Sequence, residues 1–95
     1  MSATLCKQPS ESRLYSMDFA PRITPGDTVA SVISIISDPN TDLVIGPGVI
    51  DPTNLIVQSR LSGGLDGVTY KVTFLVNTTA GDILEADGFL AVVDS

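Results

Sequence analysis

Asp38, Asp42 and Asp51 fall in loops close together along the chain, and loop carboxylates are the usual ligands of calcium. Calcium takes about six to eight oxygens, supplied by tightly spaced ligands, and no DxDxDG-like run is present. Asx-turns, in which the carboxylate binds nearby backbone amides, suit this spacing better. The chain has no histidine. That excludes a Ser-His-Asp triad, a Cys-His pair and a histidine metal site. The single cysteine, Cys6, has no partner for an intrachain disulfide. Lys7 adjoins it, but with no histidine to act as base the thiol reads as inert. The triplet Asn77-Thr78-Thr79 fits the N-glycosylation pattern, yet without a secretory signal it reads as a turn. SGGLDG, residues 62–67, holds three glycines but joins two expected strands, whereas phosphate loops open a helix. Paired carboxylates could serve a glycosidase, but a sandwich this small offers no obvious cleft and the chain has no tryptophan for a sugar to stack on. The expectation is therefore no enzyme, no catalytic or metal site and no cofactor.

Composition narrows the partners. The chain has 95 residues, 5 basic and 11 acidic, for a net charge of −6. One domain is expected at that length. Phosphate binding needs clustered cations, and Lys7, Arg13, Arg22, Arg60 and Lys71 are dispersed, so neither nucleic acid nor an anionic membrane is an expected partner. No apolar run is long enough to span a bilayer. The lack of a disulfide suits a reducing cytosol.

The residues just considered must be positioned by strands. Tyr70, Val72, Phe74 and Val76 alternate with Lys71, Thr73, Leu75 and Asn77, which predicts a half-buried strand. NTTAGD turns it into a hairpin with ILEADGFLAVVD, where Asp87-Gly88 predicts a bulge or bend. Upstream, NLIVQSRL predicts a strand with Leu55, Val57, Ser59 and Leu61 on one face. Residues 28–37 form another strand, but its aliphatics lie on both faces and leave the inner one open. A short strand at Leu43–Ile45 is broken by Gly46-Pro47-Gly48, and Arg13 to Ile23 reads as an extended first strand. Short strands separated by Gly, Pro, Asn and Asp turns predict an all-β fold. Its expected form is an immunoglobulin-like β-sandwich of about seven antiparallel strands over residues 13–95. Residues 1–12 are polar and are expected to form an N-terminal arm outside it.

The run LSGGLDGVTYKVTFLVNTTAG resembles the signature of the fiber–tail adaptor family of tailed bacteriophages, through Leu61, Ser62, Gly63, Gly64, Gly67, Tyr70, Thr79 and Gly81. Lys7, Pro9, Tyr15, Asp18 and Phe19 resemble the family's opening, and Gly26-Asp27-Thr28-Val29 its next strand start. The likeness covers roughly Lys7 to Val93. Phe19 and Arg60 stand where the family often has tryptophan, and residues 38–53 do not align. The resemblance implies a non-enzymatic structural protein of the virion, located in the tail region and assembled in the bacterial cytoplasm. It implies contacts with tail and fiber subunits, in several symmetric copies. A capsid decoration or cement protein and a carbohydrate-binding accessory module are the alternatives. An arm with so few apolar residues cannot offset its own ordering entropy, so it is expected to pack on another virion subunit. Leu5, Arg13 and Tyr15 are the expected contacts: Leu5 is its one sizeable aliphatic anchor, and Arg and Tyr are types enriched at interfaces. The alternative is an arm folded back on its own sandwich as an edge strand.

Overall fold

The structure is a computed structural model that describes residues 4–94. Eight strands follow one another: β1 (Thr4–Lys7), β2 (Ser12–Asp18), β3 (Val29–Asp38), β4 (Leu43–Ile45), β5 (Val49–Ile50), β6 (Ile56–Gly63), β7 (Thr69–Thr78) and β8 (Ile83–Val92). A 3-10 turn at Ala20–Arg22 separates β2 from β3, and the described residues contain no α-helix. One sheet has the order β1-β8-β7-β3. The other has β2-β6-β4, with β5 pairing the same strand β6. Strands β3, β7 and β8 thus face β2, β6 and β4/β5, the two-sheet arrangement of an immunoglobulin-type sandwich.

The core follows the alternation read from the sequence. Tyr70, Val72, Phe74 and Val76 of β7 are all fully buried, as are Val57 and Leu61 of β6 and Leu90 and Val92 of β8. Tyr15 and Phe74 stack across the two sheets with ring centroids 5.9 Å apart, tilted by 34°. Burial of this apolar surface is the main term holding the layers together.

Four features depart from expectation. The strand expected over Arg13 to Ile23 is β2, and it ends at Asp18. Its carboxylate accepts the Ala20 amide at 2.9 Å and starts the 3-10 turn, where Pro21 suits an early helical position. Asp87-Gly88 is not a bulge, because β7 and β8 stay in register through Val72↔Gly88 and Thr73↔Asp87. The bulges lie in β3, between Val29 and Ser31 and between Val32 and Ser34. Each inserts one residue, so the inward positions run Val29, Val32, Ile35, which explains the aliphatics on both apparent faces.

The arm is the fourth. Thr4–Lys7 pairs parallel with β8, from Thr4↔Phe89 to Lys7↔Val92, so over these residues it is an edge strand of the sandwich itself. Leu5 packs against the core. A short turn then carries the chain to the other sheet. Its Gln8 amide donates to the Glu11 carboxylate at 2.7 Å, and the Glu11 amide to the Gln8 carbonyl at 3.1 Å. The Lys7 ammonium closes it on the carbonyl of Gln8 at 2.6 Å. Lys7 is only 3% exposed, and burial pushes its pKa down against the opposing pull of Glu11. The first three residues of the expected arm lie outside the described residues.

Candidate protein interface

The chemistry-bearing residues converge on the two ends of the sandwich, where they bond one another. At one end Tyr70 opens β7 and sends its hydroxyl to the Thr41 carbonyl at 3.0 Å, while the Leu65 amide donates to that hydroxyl at 3.0 Å. This is the tyrosine corner of immunoglobulin-like sandwiches, a phenol tied back to backbone just upstream. Gly64 makes room for it. Its φ is +94°, and an added Cβ would lie 2.8 Å from Val92 Cγ2 and 3.4 Å from the Tyr70 ring. The SGGLDG run is therefore a corner joint, with its amides turned to the protein's own groups.

At the other end Gly26-Asp27-Thr28 meets the β7–β8 turn. The Thr28 and Thr79 hydroxyls are 2.8 Å apart, and the Thr79 amide donates to the Thr28 carbonyl at 2.9 Å. Asp27 accepts the amides of Thr28 at 2.8 Å and Ala80 at 3.0 Å. Burial opposes its charge. The amide of Thr28, the hydroxyl of Thr78 and the amides of Ala80 and Thr79 outweigh that and hold its pKa below the ordinary value. Asp51 is lowered in the same way, first by the Thr53 hydroxyl 2.6 Å away and then by the Ile56 amide.

The three loop aspartates do not meet. Asp38 and Asp42 bound the β3–β4 loop, whereas Asp51 follows β5 at the far end of that edge. Among the described residues no three His, Cys, Asp or Glu side chains are grouped so as to hold a metal. Asn77 is bonded to the Ser31 hydroxyl at 3.2 Å, and Cys6 is exposed on the edge strand β1.

The expected interface residues separate. Tyr15 is 3% exposed and belongs to the core. Burial pushes its phenol pKa up, while a bond with the Phe89 backbone works the other way. Its hydroxyl occupies the space over Gly88, where an added Cβ would collide with it. Leu5 is half-buried against the core of its own chain. Arg13 is exposed, beside a groove of about 490 Å³ lined also by Cys6, Lys7, Glu11 and Val93.

What the sequence reading missed is the set of exposed aliphatics. Leu14, Val44 and Val49 occupy outward positions of the β2-β6-β4/β5 sheet, with Val44 60% exposed. Ile36 and Ile83 do so on the other sheet, and Ile33 is exposed at its second bulge. Aliphatics on both apparent faces of residues 28–37 were the one visible signal for part of this set. Solvated sheet faces normally carry polar side chains, and these outward aliphatics depart from that pattern.

Fold and surface define a class: a small immunoglobulin-like module whose polar motif residues serve its own corners and whose free groups suit contact with other chains. The chain belongs to the Gp77 family, described as podophage GP4 fiber-tail adaptor protein gp77, whose family model matches residues 7–91. No curated protein matches it.

Proposed function

We propose that this chain is a non-enzymatic structural protein of the virion tail that joins tail and fiber subunits. It acts in several copies, with neither nucleic acid nor membrane as a partner. The reading rests on the family match over residues 7–91 and on one observation above all: the outward aliphatics Leu14, Val44, Val49, Ile36 and Ile83 stand free, while the motif residues are bonded within the chain. Such groups gain by being covered, which is what a joint between subunits does. Arg13 is the one expected contact residue still exposed, and it is assigned to this joint. The net charge of −6 disfavours phosphate as a partner. The test is a phage lacking this gene. Particles with tails but without fibers support the reading. Particles that keep their fibers and lose capsid stability make it a capsid cement instead.

A further inference from the structure

The sandwich has four sheet edges, and unpaired edges invite another strand unless they are shortened, charged, bent or interrupted. Three are protected. Among the described residues β1 has four residues, β2 carries Arg13 and Asp18, and the β4/β5 edge is broken by Gly46-Pro47-Gly48. The fourth, β3, has ten residues and only one charge, Asp38 at its end. Its two bulges lie before Ser34. From Ser34 to Asp38 it is regular, pairing Leu75 through Lys71 of β7 on one side only. Ile36 stands on the outer face of this stretch and is 59% exposed.

We propose that two copies of this chain pair antiparallel along β3 over Ser34–Asp38, about a two-fold axis at Ile36, to make one continuous eight-stranded sheet. The sequence is self-complementary in that register. Ile36 meets Ile36 of the second copy, Ile35 meets Ser37, and Ser34 meets Asp38, where its hydroxyl can donate to the carboxylate. The outward set Ser34, Ile36 and Asp38 stays on one face, as side-chain alternation across a sheet requires. Copies of a chain with net charge −6 repel, and the uncharged run Val29–Ser37 is where they can approach along an edge. A two-fold joint also closes on itself and leaves the regular stretch Ser34–Asp38 no free edge on which to aggregate.

The test uses the full chain in solution, apart from any phage, so its outcome is independent of the adaptor reading. Sedimentation should show association of the 9.9 kDa chain into dimers. Ile36→Lys should raise the dissociation constant about 10-fold, by losing the central apolar pair and opposing two cations. Val44→Lys, equally exposed but on the other sheet, should leave it unchanged. Facing residues in such a pair lie about 4.5–5.5 Å apart between Cα atoms, within disulfide reach. Ile36→Cys in a Cys6→Ser background should therefore give a covalent dimer when copper–phenanthroline and dioxygen remove two electrons and two protons from the paired thiols. This variant decides the matter if Ile36→Lys fails to fold. A wild-type chain monomeric at its highest soluble concentration overturns the proposal and leaves the edge to a strand of another protein. So does a dimer that Val44→Lys breaks, or one whose introduced thiols do not join.

Discussion

Gly88 and Tyr15 illustrate how single residues hold the two sheets at their spacing. Gly88 lies in a regular pair with Val72, and the Tyr15 hydroxyl takes the volume where its side chain would be. Gly88→Ala should therefore destabilise the domain by about 1–3 kcal/mol through overpacking, measured by urea denaturation. Gly88→Ala in a Tyr15→Phe background should recover part of that loss, since the nearest clash is with the hydroxyl, while ring carbon Cζ at 2.6 Å remains. Phe74→Ala, which empties the site beneath the Tyr15 ring, should cost about 3–5 kcal/mol. The carboxylates give a pH dependence whose sign is fixed. Asp27 and Asp51 have folded pKa values below their ordinary 3.8. Their contribution is complete above that value and is lost as pH falls through the lower folded value. Urea midpoints should thus fall on acidification from about pH 6 to about pH 2, and less steeply in Asp27→Asn. A midpoint that rises in acid would contradict the amide cradle around Asp27.

Elements were legible where one face of a strand is buried and its ladder is regular. β7 could be read residue by residue, because Tyr70, Val72, Phe74 and Val76 alternate without a break. β3 could not, since bulges change the inward spacing from two to three residues and depend on how β7 lies beside it. Asp87-Gly88 misled for the opposite reason: glycine was needed by a tyrosine from the other sheet, which local sequence does not reveal. β1 was read only as the alternative, an arm folded back as an edge strand, because its polarity favoured an arm outside the sandwich. The segment holds only Leu5 as a sizeable aliphatic, yet parallel pairing with β8 satisfies its backbone and places Leu5 against the core. The exposed aliphatics were the least legible part, because exposure of Val44, Val49 or Ile36 is decided by sheet order. Removing residues 1–7 should accordingly lower the stability of the isolated domain by about 1–3 kcal/mol, as backbone bonds and the Leu5 contact are lost. Unchanged melting of that truncated chain would mean that β1 contributes nothing to the sandwich.

At the scale of the molecule, charge and association are coupled. The chain measures 43 × 21 × 19 Å and carries a net charge of −6, so two copies joined at β3 bring their charges together within one elongated particle. At about 10 mM salt the Debye length is about 30 Å, longer than either short dimension, and the full charge of each copy opposes the other. Near 150 mM it falls to about 8 Å, and most of that repulsion is screened. The contact at β3 holds backbone bonds, Ile36 and serines, with Asp38 facing Ser34, so screening removes little attraction. Association should therefore tighten as salt rises over that range, by several-fold in the dissociation constant measured by sedimentation. An interface on the other sheet would respond differently. There Arg60 and Asp18 are outward charges of opposite sign, and two copies meeting through them would be held partly by attractions that salt weakens. Dimerisation that loosens with added salt would point to that face and exclude the β3 edge.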